Sequence, residues 1–113
     1  MIYMKKLLPR YRPNCVVWEI TLSCNLKCSH CGSSAGIERK DELSLDECYS
    51  VCNDLKSIGT ETVSLIGGEP FLRSDIVNLC GVFTKQVPDS SIGILTNGVN
   101  TEVIVTRTKE VLD

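Results

Sequence analysis

Hydrophobic residues form two kinds of pattern along this chain, which together predict an alternation of strands and helices. Three short runs rich in β-branched and aromatic residues, at 15–21, 62–66 and 91–96, predict strands. Between these runs, apolar residues return at every third or fourth position, which predicts helices over 44–59 and 74–87. Strands that alternate with helices are typical of βαβ units with a parallel sheet. The sequence therefore predicts an α/β fold.

The ends of the predicted helices carry typical capping residues. Ser44, followed three residues later by Glu47, forms the capping-box pattern, and Gly59 is a suitable C-terminal stop. Ser74 is predicted to cap the second helix, which ends before Pro88. A third helix is predicted after Asn100, although its many β-branched residues weaken the helical propensity.

Two segments fall outside this alternation. Residues 1–14 are locally basic and are predicted to form an N-terminal arm, so the domain is expected to span residues 15–113. Residues 22–43 have no sustained helical or strand period and contain three close cysteines, two glycines and mixed charges. This segment is predicted to be a functional loop with room for a short helix.

Composition narrows the class of protein. With 113 residues, 42% of them hydrophobic, and a net charge of -2, the chain is suited to one ordinary globular domain, which excludes disorder and a collagen-like fibre. The overall charge lacks the basic character of most nucleic-acid-binding proteins. No apolar run is long enough for a membrane span or a secretory signal. We therefore expect a cytoplasmic protein with neither nucleic acid nor membrane as a partner.

The cysteine spacing indicates a cofactor. The chain has seven cysteines, an odd number that disfavours a disulfide framework, and three of them form Cys24-x3-Cys28-x2-Cys31. Three thiolates are one too few for a structural zinc site or a four-cysteine electron carrier, whereas a cubane cluster held by three leaves one iron open. Cys15 lies at the far end of the first strand and is badly placed as a fourth ligand. A zinc knuckle completed by His30 or by another chain is the alternative.

The other two notable loops also follow strand ends. Gly67-Gly68-Glu69-Pro70 follows the second predicted strand, and Thr96-Asn97-Gly98 closes the third. Ligands of parallel α/β folds bind outside the carboxyl ends of the strands. We therefore expect all three loops to converge on one face.

Together these motifs resemble those of the radical S-adenosylmethionine (SAM) enzymes. Their signature is a C-x3-C-x2-C loop after the first barrel strand, and Gly67-Gly68-Glu69-Pro70 and Thr96-Asn97-Gly98 are similar to the family's GGEP and TNG motifs. The sequence around the cysteines is most similar to members that mature peptides or build haem-type, quinone or molybdenum cofactors. The resemblance implies an incomplete (β/α) partial TIM-type barrel of about three βα units, the N-terminal half of the core domain.

The resemblance also implies roles for individual residues. A [4Fe–4S] cluster would be held by Cys24, Cys28 and Cys31, and its open iron would bind SAM, whose reductive cleavage gives a 5′-deoxyadenosyl radical for hydrogen abstraction. The remaining cofactor contacts fall on six residues: His30 near adenine, Gly67, Gly68 and Glu69 at the methionine amino group, and Thr96 and Asn97 near the ribose or carboxylate. Taken singly, Gly67-Gly68 would favour an ordinary turn and His30 a solvent-facing side chain, and Thr96-Asn97 is equally consistent with a capped strand end.

Partners follow from the same resemblance. A reductant such as a ferredoxin or flavodoxin would supply the electron, and the substrate would be a peptide or a tetrapyrrole or other cofactor precursor. Three strands fall short of a barrel of roughly 250 residues, so activity would need missing sequence, self-association or a complementing chain. The alternative is a non-catalytic iron–sulfur module for electron transfer or sensing.

Four further residues have predicted positions. Cys48, Cys52 and Cys80 fall on apolar helix faces and are predicted to be buried hydrophobes, and Glu19 is predicted to face the barrel interior.

Overall fold

Three parallel strands form the sheet in the computed structural model, which describes residues 12–37 and 39–113. The strands, in sheet order, are β1 (Cys15–Thr21), β2 (Thr62–Gly67) and β3 (Ser91–Ile94). They alternate with three helices, α1 (Leu45–Ile58), α2 (Ile76–Gln86) and α3 (Thr101–Leu112), and a 3-10 turn spans Pro70–Leu72. The predicted α/β class and element order are confirmed. Residues 1–11 of the predicted arm lie outside the described residues.

The helices pack on one face of the sheet, and the core lies between them. Val63 and Leu65 of β2 are fully buried there, and Trp18 of β1 meets Phe83 of α2 edge to face, with ring centroids 5.6 Å apart. Ile20 belongs to the same buried cluster. Because side chains of a strand alternate between faces, the intervening residues of β1 and β2 lie on the other face.

Helix α1 begins and ends at the predicted capping residues. The Ser44 hydroxyl accepts a hydrogen bond from the backbone N–H of Glu47, and the Glu47 carboxylate accepts one from the N–H of Ser44 at 2.8 Å. Gly59 ends the helix with φ 73°, a left-handed conformation that glycine adopts without steric penalty. The capping-box prediction is confirmed at both ends of the helix.

The start of α2 and the end of β3 differ from the prediction where polar side chains intervene, and β2 runs one residue further than predicted, to Gly67. Helix α2 begins after Asp75 and not after Ser74, and the Asp75 carboxylate makes no capping bond because it binds the guanidinium of Arg73 at 2.6 Å. Strand β3 ends at Ile94 and not at Thr96. Beyond Leu95, the backbone N–H of Asn97 donates to the Glu69 carboxylate at 2.8 Å and not to β2, so strand pairing does not continue.

The cysteine-bearing loop between β1 and α1 contains no helix in its described residues, 22–37 and 39–43. A bridge between Ser23 and Gly36 closes it, with the Gly36 N–H donating to the carbonyl of Leu22 at 2.8 Å. The short helix that the sequence allowed is therefore absent there, and a backbone bridge takes its place.

The second face of the sheet is open. Val17 and Leu95 are 62% and 70% exposed, and Glu19 is also exposed on this face, as predicted for an interior-facing position. Ser64 and Ile66 lie half-buried beside them. Parallel sheets are normally covered on both faces, and within residues 12–37 and 39–113 the outer edges of β1 and β3 have no strand partner. No helix among the described residues is both long and apolar enough to cross a membrane.

We expect the 113-residue chain to self-associate, because association covers this open face and its edges. Sedimentation velocity should show oligomers, and a Val17→Lys, Leu95→Lys double variant should shift the distribution towards monomer. Tyr49→Lys, at a 44% exposed position on α1, is the control and should leave the distribution unchanged. A monomeric parent chain with sharp cooperative unfolding would contradict this expectation.

Candidate cofactor-binding site

The three loops that follow the strands meet at one end of the sheet, as the strand order predicts. The backbone N–H of Glu69, after β2, donates to the carbonyl of Ser23, after β1, at 2.8 Å. The Asn97 side-chain amide, after β3, donates to the carbonyl of the Asn25 side chain at 2.9 Å and lies 3.9 Å from the sulfur of Cys24. Loops distant in the sequence therefore form one contiguous surface.

The three loop cysteines are free thiols on this surface. Cys24 and Cys31 are half-buried and Cys28 is exposed. The Cys31 N–H donates to the carbonyl of Cys28 at 3.2 Å, which folds the second half of the loop into a turn. Besides Asn97, the N–H of Leu26 points at the Cys24 sulfur at 3.4 Å. Donors aimed at sulfur stabilise a thiolate, so this donor set fits an iron–sulfur cluster.

The described residues are less suited to binding a single metal ion than to binding a cluster. Among the described residues, no three histidine, cysteine or carboxylate side chains are grouped so as to hold one ion. Each thiolate of a cubane binds a different iron, so the three sulfurs of such a site lie farther apart than the ligands of one zinc ion. The arrangement gives no support to the zinc knuckle that the sequence left open. His30 is exposed and makes no hydrogen bond with the other predicted site residues among those described.

The two glycines after β2 are required by close packing of the backbone. A Cβ atom on Gly67 would overlap the carbonyl oxygen of Thr21, and one on Gly68 would overlap that of Ser23. Neither glycine has a positive φ. The sequence suggested that glycine permits close approach to a ligand, and in the structure the neighbour that approaches is the start of the cysteine loop.

We expect Gly68→Ala to destabilise the chain by about 1–3 kcal/mol, the usual cost of overpacking. The control is Gly81→Ala in the middle of α2, where a Cβ meets nothing within 4 Å. That change should stabilise the chain by about 1 kcal/mol because alanine favours a helix. Urea denaturation measures both changes, and equal midpoints for the two variants would disprove the packing argument.

Glu69 connects the second loop to the third. Its side chain is buried, with the residue 1% exposed, and its carboxylate accepts hydrogen bonds from the Phe71 N–H at 3.0 Å and the Asn97 N–H at 2.8 Å. Both of its oxygens also lie within 2.9 Å of the Thr96 hydroxyl. Glu69 itself is extended, with φ -128° and ψ 107°, as expected before a proline. The carboxylate is thus fully engaged within the protein.

Two residues that the sequence analysis did not single out hold the base of the cysteine loop. The Glu42 carboxylate accepts from the Thr21 hydroxyl at 2.9 Å and from the Leu22 N–H at 2.8 Å. Arg73 donates from the other side to backbone carbonyls, at distances of 2.6 and 2.7 Å. Its bond to Asp75 raises the pKa of the Arg73 guanidinium, so the group stays charged. Their partners are distant in the sequence, so no local pattern could have revealed either residue.

The remaining cysteines lie outside the surface where the three loops meet, and Cys48 lies beneath the base of the cysteine loop, 3.9 Å from Nη2 of Arg73. Cys48, Cys52 and Cys80 are at most 2% exposed and belong to the core, which confirms that they are buried hydrophobes. Burial raises the pKa of the Cys48 thiol, partly offset by the charge of Arg73. Cys15 is exposed at the opposite end of β1, roughly 20 Å from the loop at the usual rise of a strand.

Taken together, the parallel strands, the convergent loops and the three-cysteine motif define a cluster-binding α/β protein of the partial-barrel class. The sequence matches the radical SAM superfamily over residues 18–113. The chain belongs to this superfamily, whose members are enzymes that use a [4Fe–4S] cluster and SAM.

Several characterised relatives are similar in sequence. The chain is 38% identical over 87 residues to the mycofactocin maturase MftC of Mycolicibacterium smegmatis, a match that covers 77% of this chain and 22% of the relative. It is 36% identical over 96 residues to the PqqA peptide cyclase of Bradyrhizobium diazoefficiens, covering 84% and 24%. It is 45% identical over 65 residues to the Fe-coproporphyrin III synthase of Methanosarcina barkeri, covering 57% and 16%. The matched part of the chain thus spans less than a quarter of each relative's length.

The fold is similar to that of a solved enzyme complex. The crystal structure of BtrN in complex with AdoMet and 2-DOIA superposes with a TM-score of 0.64 and 25% sequence identity. The match covers 87% of this chain and 42% of that chain. This likeness is consistent with a partial TIM barrel, of which the three strands described here form one part.

Proposed function

We propose that this chain carries the cluster-binding and SAM-binding part of a radical SAM enzyme. The observation that supports the proposal most strongly is the contact between the three loops, which brings the Cys24-x3-Cys28-x2-Cys31 motif against Gly68-Glu69 and Asn97. When bound, the cluster supplies one electron that cleaves SAM to methionine and a 5′-deoxyadenosyl radical. The chain's own residues bind and orient these groups.

The proposed SAM contacts use backbone groups. The N–H groups of Gly68 and Glu69 already donate to the carbonyls of Thr21 and Ser23, both at 2.8 Å. Carbonyl groups of Gly67 and Gly68 are therefore the proposed acceptors for the amino group of SAM. Because the Glu69 carboxylate is engaged within the protein, its proposed role is to hold this turn in place.

Thr96, Asn97 and His30 complete the proposed SAM site. The Thr96 hydroxyl and the Asn97 N–H bind Glu69, so their positions are fixed relative to the Gly-Gly turn. The proposed partners of Thr96 and Asn97 are the ribose or carboxylate of SAM. His30, exposed one residue before Cys31, is proposed to lie beside adenine.

The proposed substrate is a peptide or a cofactor precursor such as a tetrapyrrole. The names of the PqqA peptide cyclase and the Fe-coproporphyrin III synthase support these two classes. The open face of the sheet, with Glu19, leads to the cysteine loop and is the proposed approach for the substrate. A ferredoxin or flavodoxin is the proposed electron donor, and further polypeptide is proposed to complete the barrel.

An assay for SAM cleavage tests the proposal. Anaerobic reconstitution with iron and sulfide, followed by a low-potential reductant and SAM, should yield 5′-deoxyadenosine. SAM should also perturb the electron paramagnetic resonance spectrum of the reduced cluster. Gly68→Val, whose side chain would overlap the Ser23 carbonyl and the Cβ of Cys24, should lower both the iron content and the response to SAM. A parent chain that binds a cluster whose spectrum does not respond to saturating SAM would favour the electron-transfer or sensing module.

A further inference from the structure

The cysteine loop leaves the sheet after β1 and rejoins the fold at the start of α1, and one side chain links its two ends. Nη1 of Arg73 donates to the carbonyl of Ile20, the penultimate residue of β1, at 2.7 Å. Nη2 of the same guanidinium donates to the carbonyl of Leu43, next to the N-cap of α1, at 2.6 Å. The loop is therefore closed at its base by a residue that lies beyond the Gly-Gly turn.

The guanidinium is fixed from several directions. Asp75 accepts from its Nε at 2.6 Å and from its Nη2 at 3.1 Å, and the Arg73 side chain is only 8% exposed. The Arg73 backbone N–H donates to the carbonyl of Pro70 at 3.1 Å, and its carbonyl accepts from Arg107 of α3 at 3.2 Å. Charged hydrogen bonds are stronger than neutral ones, and a planar guanidinium is suited to bridging two fixed carbonyls. Arg73 thus ties the turn after β2 to both ends of the cysteine loop.

A second arginine–aspartate pair in the chain shows, by comparison, which contacts are specific to Arg73. Arg39 binds Asp41 in the same i, i+2 arrangement, with both bonds at 2.8 Å. These side chains are 60% and 68% exposed, and within the described residues the Arg39 guanidinium bonds only to Asp41. The local ion pair is common to both arginines, whereas the bridge to the loop belongs to Arg73 alone.

We propose that Arg73 is a positioning residue for the cluster: it holds the base of the cysteine loop closed, so that the three thiols keep the separation that cluster binding needs. The inference rests on the proposed function of Cys24, Cys28 and Cys31. Arg73 touches neither cluster nor SAM in this role. It acts through the backbone of Ile20 and Leu43, and it couples the loop to the turn that carries Gly67 and Gly68.

Hydrogen exchange on the cluster-free chain tests directly whether Arg73 holds the base of the cysteine loop closed. In Arg73→Met, amide exchange within residues 22–43 should accelerate by about tenfold or more relative to the parent, because two charged hydrogen bonds to the loop base are lost. Exchange in β3 and α3 should be unchanged. Arg73→Lys should restore part of the protection, since an ammonium reaches one carbonyl and not both. Arg39→Met is the control and should leave the pattern as in the parent chain.

Iron loading provides the second readout. After anaerobic reconstitution, Arg73→Met should hold several-fold less iron than the parent chain, and Arg39→Met should hold as much as the parent. If Arg73→Met fails to fold, Asp75→Asn keeps the charge of Arg73 but loosens its anchor, and should accelerate exchange in the same segment.

Two outcomes would overturn the proposal. One is unchanged exchange in residues 22–43 of Arg73→Met, and the other is uniform acceleration along the whole chain, which indicates only a global loss of stability. A parent chain that binds no iron would instead refute the proposed function, and Arg73 could then not be a positioning residue for a cluster. The exchange data would then decide whether Arg73 closes the loop.

Discussion

Replacement of Cys24, Cys28 or Cys31 by alanine is expected to abolish cluster binding. After anaerobic reconstitution the parent chain should contain about four irons, whereas each variant should contain close to none. The reason is that three thiolates already form a minimal ligand set, and no other cysteine lies on the surface where the loops meet. Iron analysis and the visible absorption of the cluster measure the result.

The control variants are the other cysteines. Cys15→Ala changes an exposed thiol at the opposite end of β1 and should leave the iron content unchanged. Cys48→Ala, Cys52→Ala and Cys80→Ala remove buried thiols and should lower stability without changing the iron content of the folded protein. Iron that survives Cys28→Ala and disappears with Cys15→Ala would show that the ligand assignment is wrong.

Glu69→Ala is expected to cause the largest loss of stability among single substitutions at this surface. The change leaves the N–H groups of Phe71 and Asn97 and the hydroxyl of Thr96 without their acceptor. Phe71 is buried, so its unsatisfied N–H costs about 1–3 kcal/mol, and truncation of the buried Glu69 side chain adds the cost of a cavity. The loss should therefore be about 3 kcal/mol or more, although Thr96 and Asn97 are exposed to water. Chemical denaturation measures the change in the free energy of unfolding.

A second variant separates the carboxylate's charge from its shape. In Glu69→Gln, one acceptor oxygen becomes an amide nitrogen that faces an N–H donor, so the loss should be substantial but smaller than in Glu69→Ala. Glu61→Ala, at an exposed position just before β2, is the control and should change stability by less than about 0.5 kcal/mol. Equal stability of Glu69→Ala and Glu61→Ala would contradict a structural role for the buried carboxylate.

Local patterns predicted the elements of this fold because the relevant physics is local. Runs of β-branched and aromatic residues predicted the three strands, the periodicity of apolar residues predicted α1 and α2, and α3 was expected after Asn100 despite its β-branched residues. The Ser44–Glu47 pair marked a helix start because both capping bonds lie within one turn. The placement of the loops was also predictable, because parallel strands bring their carboxyl ends to the same edge. The cysteine motif could be recognised since its residues are close in the sequence.

Long-range polar contacts account for what the sequence did not reveal. Thr96 has a high strand propensity, but β3 stops at Ile94, and the backbone N–H of Asn97 and the Thr96 hydroxyl both bind the buried Glu69. The N-cap of α2 is Asp75 and not Ser74, and the Asp75 carboxylate binds Arg73 instead of capping the helix. Arg73 and Arg39 are each followed two residues later by aspartate, so no sequence pattern distinguishes the buried bridge from the exposed pair.

The buried thiols have a consequence for how the chain selects iron. Burial, with a smaller contribution from Cys48, raises the pKa of the Cys52 thiol to about 11, and burial also raises the pKa of Cys80. Because metals and oxidants react with the thiolate, these core cysteines remain protonated at neutral pH and do not compete for incoming metal. Of the seven cysteines, the three in the core are thereby withheld from metal, which leaves the three loop thiols and the distant, isolated Cys15 accessible. The hydrophobic core that stabilises the fold thus also limits binding of metal at the wrong cysteines.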